Sequence, residues 1–192
     1  INTSAIGYYG DEAYSPMGED SSAGNDFLAE ICREWEAAAL NSGAPCDIKI
    51  IRIGFVLGLD GGAFPILLNL TRAFLGSAVG SGRQVIGWIH IQDLCRMFVA
   101  ALQPNWPKIA NGTAPKPVTN AEFMRALRRA VGRPWVPGPP AFVMRGLTSL
   151  TGRSAPSLAL ASQNAVPRAA QEAGFLFDFP LVERAIEDLL KA

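Results

Sequence analysis

The chain is poor in the residues that most often carry hydrolytic and metal chemistry. It has one histidine, His90, in the apolar string Trp88-Ile89-His90-Ile91. A zinc site needs more ligands than this spacing offers, so no metal is expected. There is no G-x-S-x-G elbow, and a triad of Ser4, His90 and Asp93 has no supporting motif. The plainer reading of His90 is a packed imidazole hydrogen-bonded to backbone. The three cysteines, Cys32, Cys46 and Cys95, form no CxxC, which argues against a disulfide framework and suits a reducing compartment. No apolar run approaches the roughly 20 residues of a membrane span. Charge of one sign is missing too: Lys plus Arg and Asp plus Glu are 17 each. No net field draws the chain to nucleic acid or to an anionic membrane, and the cluster Arg125, Arg128, Arg129 and Arg133 reads as the solvated face of a helix. The chain also starts on Ile1 without an initiator methionine, so an N-terminal segment is expected to have been removed or left out.

What is present is a globular composition, 49% apolar over 192 residues. The first ten residues read as a strand feeding a loop, and residues 11–24 as a polar loop of lid type. In "NDFLAEICREWEAAAL", Phe27, Leu28, Ile31, Cys32, Trp35, Ala38 and Ala39 have helical spacing and predict one buried face, capped by Asn25 or Asp26. "CDIKIIRIGFVLG" predicts a strand buried on both faces. Strand, helix, strand is the pattern of a parallel α/β sheet. A helix over 63–75 follows, then a short strand in "RQVIGWIHI" and a helix in "QDLCRMFVAAL" started by Asp93. Thr119-Asn120-Ala121-Glu122 is a capping-box pattern. It opens a helix burying Phe123, Met124, Leu127, Ala130 and Val131. A Pro-rich connector spans 134–140, and "LVERAIEDLLKA" is an amphipathic last helix. A boundary near residue 110 divides an α/β unit, 1–110, from a smaller, mostly helical one, 111–192.

The pattern Gly76, Gly80, Gly82 has a spacing that can cradle a dinucleotide. That use needs a strand before it and a helix after it. Here the order is reversed, and the expectation is a turn.

The strings "SAIGYYG", "DFLAEICREWEAAAL", "IRIGFVLGLDGGA", "GSGRQVIGWIHIQDL", "NGTAPKPVTNAEF" and "AGFLFDFP" occur in this order. Together they resemble the epimerase-like branch of the extended short-chain dehydrogenase/reductases, over nearly the whole chain. That branch includes cyanobacterial and plastid relatives linked to cell or chloroplast division. The resemblance implies part of a doubly wound Rossmann-like sheet plus a small C-terminal domain. It implies NAD or NADP bound by the full-length protein. It also exposes an absence, because the Gly-rich strand–turn–helix that holds the dinucleotide would precede Ile1. Either this is a piece of a longer protein, or the sequence starts where order begins.

The larger family uses a serine after this first strand and Tyr-x-x-x-Lys on the next helix, where tyrosine moves a proton and lysine lowers its pKa. Ser4 matches the serine and is the expected catalytic residue. Tyr8, with Gly54, Phe55 and Val56 after the next strand, is expected beside the cofactor, and Trp88, His90 and Arg83 beside substrate. The Tyr/Lys pair is missing: its positions hold Phe27/Ile31 or Leu28/Cys32. Glu30, Glu34 or Glu36 is a conceivable substitute base, though exposed helical glutamates are usually solvated. An asparagine expected near the nicotinamide is replaced by Phe55, and a phosphate-pairing arginine by Ile86. The implied function is therefore an atypical NAD(P)-binding epimerase-like protein with weak or altered catalysis. The alternative is a pseudoenzyme: a non-catalytic structural or regulatory subunit docking protein partners in a larger organellar or membrane-associated complex, as in organelle division. A sensor of NADPH level without turnover is a third reading. A chloroplast stroma, a bacterial cytoplasm and a mitochondrial matrix all suit the cysteines.

Overall fold

The structure is a computed structural model that describes residues 1–135 and 161–191. Its elements in chain order are β1 (Asn2–Ala5), a 3-10 turn (Ile6–Tyr9), β2 (Glu12–Met17), α1 (Phe27–Leu40), β3 (Ile50–Ile53) and β4 (Phe55–Leu57). Next come α2 (Phe64–Arg72), β5 (Val85–Ile86), β6 (Trp88–His90), α3 (Ile91–Ala100), β7 (Ile109–Gly112), β8 (Val118–Thr119) and α4 (Asn120–Ala130). After residue 160 follow β9 (Ser162–Ala165), α5 (Arg168–Glu172) and α6 (Val182–Leu189). Most of the connector expected at 134–140 lies outside the described residues.

The expected parallel α/β sheet is present. β1, β3 and β7 pair in parallel in that order, with Ser4 beside Arg52 and Arg52 beside Asn111. β4 and β6 form a second parallel pair, Phe55 beside Trp88 and Leu57 beside His90. A third sheet runs β2-β9-β5-β8, joining residues far apart in the chain.

Several elements differ from expectation for identifiable reasons. The single strand expected through "IIRIGFVL" is two, broken at Gly54, and "VIGWIH" is likewise broken at Gly87. The breaks meet: the Gly54 N–H donates to the Gly112 carbonyl at 3.0 Å and the Phe55 N–H to the Gly87 carbonyl at 2.7 Å. A Cβ on Gly54 would collide with that Gly87 carbonyl and with Thr113. Residues 12–17, expected in a loop, form β2, because β9, some 150 residues later, supplies its parallel partner. α3 begins at Ile91, not at Asp93; the His90 imidazole is its cap, Nδ1 accepting from the Gln92 N–H at 3.2 Å. Asp93 turns inward and accepts from the N–H groups of Asp178 and Phe179 at 3.0 and 2.9 Å.

α1 carries the largest correction. Asp26 caps it, as expected, accepting from the Ala29 N–H at 2.9 Å. Its inward residues, however, are Ala29, Cys32 and Glu36. Phe27 is 72% exposed and Trp35 52%, and Leu28 and Ile31 are also open to water. Apart from Cys32, which is buried as expected, the large apolar residues of the stripe therefore face away from the sheet. α4 matches expectation closely. Thr119 and Glu122 form the reciprocal capping box, and Phe123, Met124 and Leu127 are buried. They pack with Leu57, Phe64, Leu68 and Trp88, and with Val182, Ala185, Ile186 and Leu189 of α6. Arg128 departs from the solvated face expected for its cluster and is buried, whereas Arg125, Arg129 and Arg133 are exposed. Residues 76–82 form the expected turn, with Gly80 and Gly82 at φ of 59° and 66°.

Candidate functional site

In parallel α/β sheets ligands gather beyond the carboxyl ends of the strands. Here that edge is formed by the ends of β1, β3 and β7. Strand register places Ser4, Arg52 and Asn111 in one row across the sheet. All three are buried, and a buried row of polar side chains must find partners or cost stability.

Arg52 finds most of them. Its Nε and Nη2 donate to the two carboxylate oxygens of Glu36 on α1, each at 2.8 Å. Nη1 donates to the Tyr9 hydroxyl at 3.0 Å. The guanidinium lies 3.4 Å above the centre of the Tyr8 ring, a cation–π contact. Burial works against the Arg52 charge, but the Glu36 and Tyr9 hydrogen bonds outweigh it and hold its pKa above the ordinary range. The Tyr9 hydroxyl donates onward to Asn111 Oδ1 at 2.8 Å. Asn111 Nδ2 donates to the Val166 carbonyl at 2.9 Å, and its backbone N–H to Glu19 Oε1 at 2.8 Å. Glu19 Oε2 also accepts from the Ala169 N–H at 3.1 Å. One chain of polar contacts thus joins α1, the sheet, the 3-10 turn, the 18–20 loop and the start of α5.

Ser4 is at the end of this row beside α1. Its buried hydroxyl has no well-formed hydrogen bond among the described residues. The Cys32 thiol is close enough for Ser4 to influence it. Burial pushes the Cys32 pKa up, against smaller opposing effects of the Ala5 backbone and Ser4. Cys32 is thus a neutral thiol. Burial also raises the Tyr9 pKa, partly countered by Arg52. A phenol so held is a poor proton acceptor at neutral pH.

A cavity of about 540 Å³ opens beyond the row, lined by Tyr9, Gly10, Asp11, Tyr14, Gly24 and Asp26 among others. Gly24 passes so close to Gly10 that a side chain on it would strike the Gly10 backbone, and its N–H donates to the Tyr8 carbonyl at 2.9 Å. Asp26 Oδ2 accepts from the Asp11 N–H at 2.9 Å and fixes the rim.

The expected site residues divide into two groups. Ser4 and Tyr8 belong to the Arg52 row, and Gly54 lies two residues beyond Arg52. Phe55 packs edge-on against Phe123, ring centres 5.7 Å apart, and Val56 joins the apolar layer under α3. Trp88 is fully buried and its indole donates to the Lys116 carbonyl at 3.0 Å. His90 is also fully buried, stacked on Phe179 at 3.9 Å, with Nε2 3.6 Å from Asp188. Neither lines the cavity. Arg83 is exposed before β5. Sequence reasoning passed over Arg52, Asn111 and Glu19, and treated Glu36 as solvated. The available signal was a lone arginine inside an apolar strand, "IIRI", which demands a buried acceptor.

Comparison with known proteins agrees with this architecture. Residues 139–189 match a family described as a domain of unknown function, DUF1731. The chain is 37% identical over 193 residues to an Arabidopsis thaliana protein named "Epimerase family protein SDR39U1 homolog, chloroplastic", covering all of this chain and 54% of that protein. It is 40% identical over 190 residues to an epimerase family protein of Mycobacterium bovis, covering 97% of this chain and 62% of that one. The crystal structure of human epimerase family protein SDR39U1 with NADPH superposes with a TM-score of 0.89 at 32% identity, over 98% of this chain and 64% of that one. Nearly the whole chain is thus similar to a part of these SDR39U1-like epimerase family proteins. It spans 54% to 62% of the length of these two curated relatives. The parallel α/β fold is that of the family's Rossmann-like structure.

Proposed function

We propose that this chain supplies the C-terminal part of an NAD(P)-binding protein of the epimerase family, with weak or altered catalysis. Ser4, Tyr8 and Gly54, which do not line the cavity of about 540 Å³, form the sheet edge on which the nicotinamide side of the cofactor rests, and an N-terminal half of the family type supplies the phosphate cradle. The human relative crystallised with NADPH supports the choice of cofactor. The observation that carries the reading is the Glu36–Arg52 pair. The one carboxylate that α1 turns inward is fully engaged, with both oxygens on Arg52. It is therefore no base for a hydroxyl. With Cys32 beside Ser4, the row binds and orients but holds no group ready to accept a proton.

The test is titration of the full-length protein with NADPH and NADP+ by fluorescence, followed by turnover with a panel of sugars and alcohols. Binding with turnover at least about a thousandfold below ordinary kcat values of ~10 s⁻¹ is expected. Ser4→Ala should change cofactor affinity more than rate. Vigorous turnover lost on Ser4→Ala would overturn the reading, and so would failure to bind either nucleotide.

One observation favours a second reading, a non-catalytic structural or regulatory subunit in an organelle or a bacterial cytoplasm. The exposed stripe of Phe27, Ile31 and Trp35 on α1 is suited to a partner surface. Migration of the native protein only as a free species in cell extract would count against it.

A further inference from the structure

The overall charge balance conceals a polarised molecule. Eight carboxylates fall within residues 11–36 and five within 172–188. None falls between Asp60 and Asp93, nor between Glu122 and Glu172, and those two stretches hold nine of the arginines. The fold brings the two stretches together where α2 and α4 end. Arg133 Nε donates to the Arg72 carbonyl at 3.1 Å, and its guanidinium lies 4.5 Å from the centre of the Phe74 ring. Arg125 and Arg129 stand one turn apart on α4, both exposed. Among the described residues, none of these four arginines is paired with a carboxylate.

An apolar ridge runs beside them. Ile66, Leu70 and Phe74 recur every fourth residue along and just past α2, and are 62%, 40% and 48% exposed; Leu75 is 68% exposed. Phe74 has a φ of 63°, the left-handed region that a bulky side chain rarely adopts. The turn is held by the Phe74 N–H on the Thr71 carbonyl at 3.1 Å and the Leu75 N–H on the Leu70 carbonyl at 2.8 Å. It leaves two large hydrocarbon groups in water beside four exposed arginines, of which, among the described residues, only Arg125 has a carboxylate, Glu122, near enough to feel its charge.

We infer that this face docks on an anionic phospholipid bilayer, with Phe74 and Leu75 entering the headgroup layer and Arg72, Arg125, Arg129 and Arg133 meeting lipid phosphates. Charge complementarity identifies the sign of the partner. The ridge identifies its class, because exposed isoleucine and leucine gain nothing from a nucleic acid or an acidic peptide in water but gain by entering a bilayer interface. Guanidinium groups suit phosphate oxygens by their forked geometry. The docking is peripheral, since no helix among the described residues is long and apolar enough to cross a membrane.

Co-sedimentation of the protein with phosphatidylcholine vesicles, with and without phosphatidylglycerol, tests this. Binding is expected only with phosphatidylglycerol and should weaken as salt rises. R129E/R133E should lower the partition coefficient by more than about tenfold, and F74S/L75S by about tenfold. All four side chains are exposed, so both variants should keep the wild-type circular dichroism and melting temperature; R125E/R129E provides a second charge reversal if one does not. No sedimentation with phosphatidylglycerol vesicles would overturn the inference. It would equally fall if F74S/L75S bound as well as the parent while DNA or polyglutamate competed, which would mark the face as a general polyanion site.

Discussion

The two faces of the molecule are held together by different physics. Where α4 and α6 meet α2 and the β4–β6 pair, Leu57, Phe64, Trp88, Phe123, Leu127 and Ile186 form a nearly continuous hydrocarbon layer. Where α1 meets β1, β3 and β7, the buried centre is Glu36, Arg52, Tyr9 and Asn111. Burial of hydrocarbon is non-directional, so the first face depends on filled volume. The second depends on geometry, because each charge is acceptable only while its partner is in place. The polar face is also the one next to the cavity, and its order fixes the pocket rather than merely the fold.

Breaking the polar face should have the largest effect. Glu36→Leu leaves the Arg52 guanidinium buried without its carboxylate and should cost about 3–5 kcal/mol in urea unfolding. The double variant Glu36→Leu/Arg52→Met should recover most of that loss, since two hydrocarbon chains of similar length need no partner. If the double variant were as unstable as the single one, the pair would be contributing through shape and not charge. The apolar face should respond without such compensation. Leu127→Ala removes buried volume between α4 and α6 and should cost about 2–5 kcal/mol, while Leu127→Met should cost less than about 1.5 kcal/mol.

The contrast also explains what was legible in the sequence. α4 could be read, Arg128 excepted, because its signals are local: the Thr119–Glu122 box and apolar residues three and four apart. The start of α1 was equally plain, but its direction was not. Phe27, Ile31 and Trp35 look like a core face, and only the tertiary structure shows that Glu36 turns inward because Arg52 lies opposite it, 16 positions later. The strand breaks at Gly54 and Gly87 left no mark in an apolar run, because the cause is contact between two distant glycines. β2 was invisible for the same reason. Ser4 and Tyr8, expected from the end of β1, lie beside Arg52, whereas Arg52, Asn111 and Glu19 were not anticipated, because they act through pairing across the fold. A smaller test sits on the legible side: Thr119→Ala removes the cap oxygen that the Glu122 N–H reaches at 3.2 Å and should cost about 1 kcal/mol, read as a lower urea midpoint.

The gentlest perturbation is pH, acting on His90 between the two faces. Burial lowers its pKa from the ordinary 6.5, against smaller upward effects of Asp188 and Asp93. In the folded chain Nδ1 is occupied as the acceptor that caps α3, so the ring is neutral with its proton on Nε2, towards Asp188. A proton added at Nδ1 would set an N–H against the Gln92 N–H and remove that cap. As pH falls below 6.5, the unfolded chain therefore binds the proton first, and stability should decline until the folded His90 also titrates. The decline begins just below pH 6.5, above the range where most carboxylates protonate. His90→Asn keeps a side-chain oxygen able to cap α3 but cannot titrate there. Its melting temperature should be flat just below pH 6.5, while the parent falls with pH. Equal slopes in the two proteins would show that the imidazole is indifferent to its charge and that the Asp188 carboxylate, 3.6 Å away, compensates it in full.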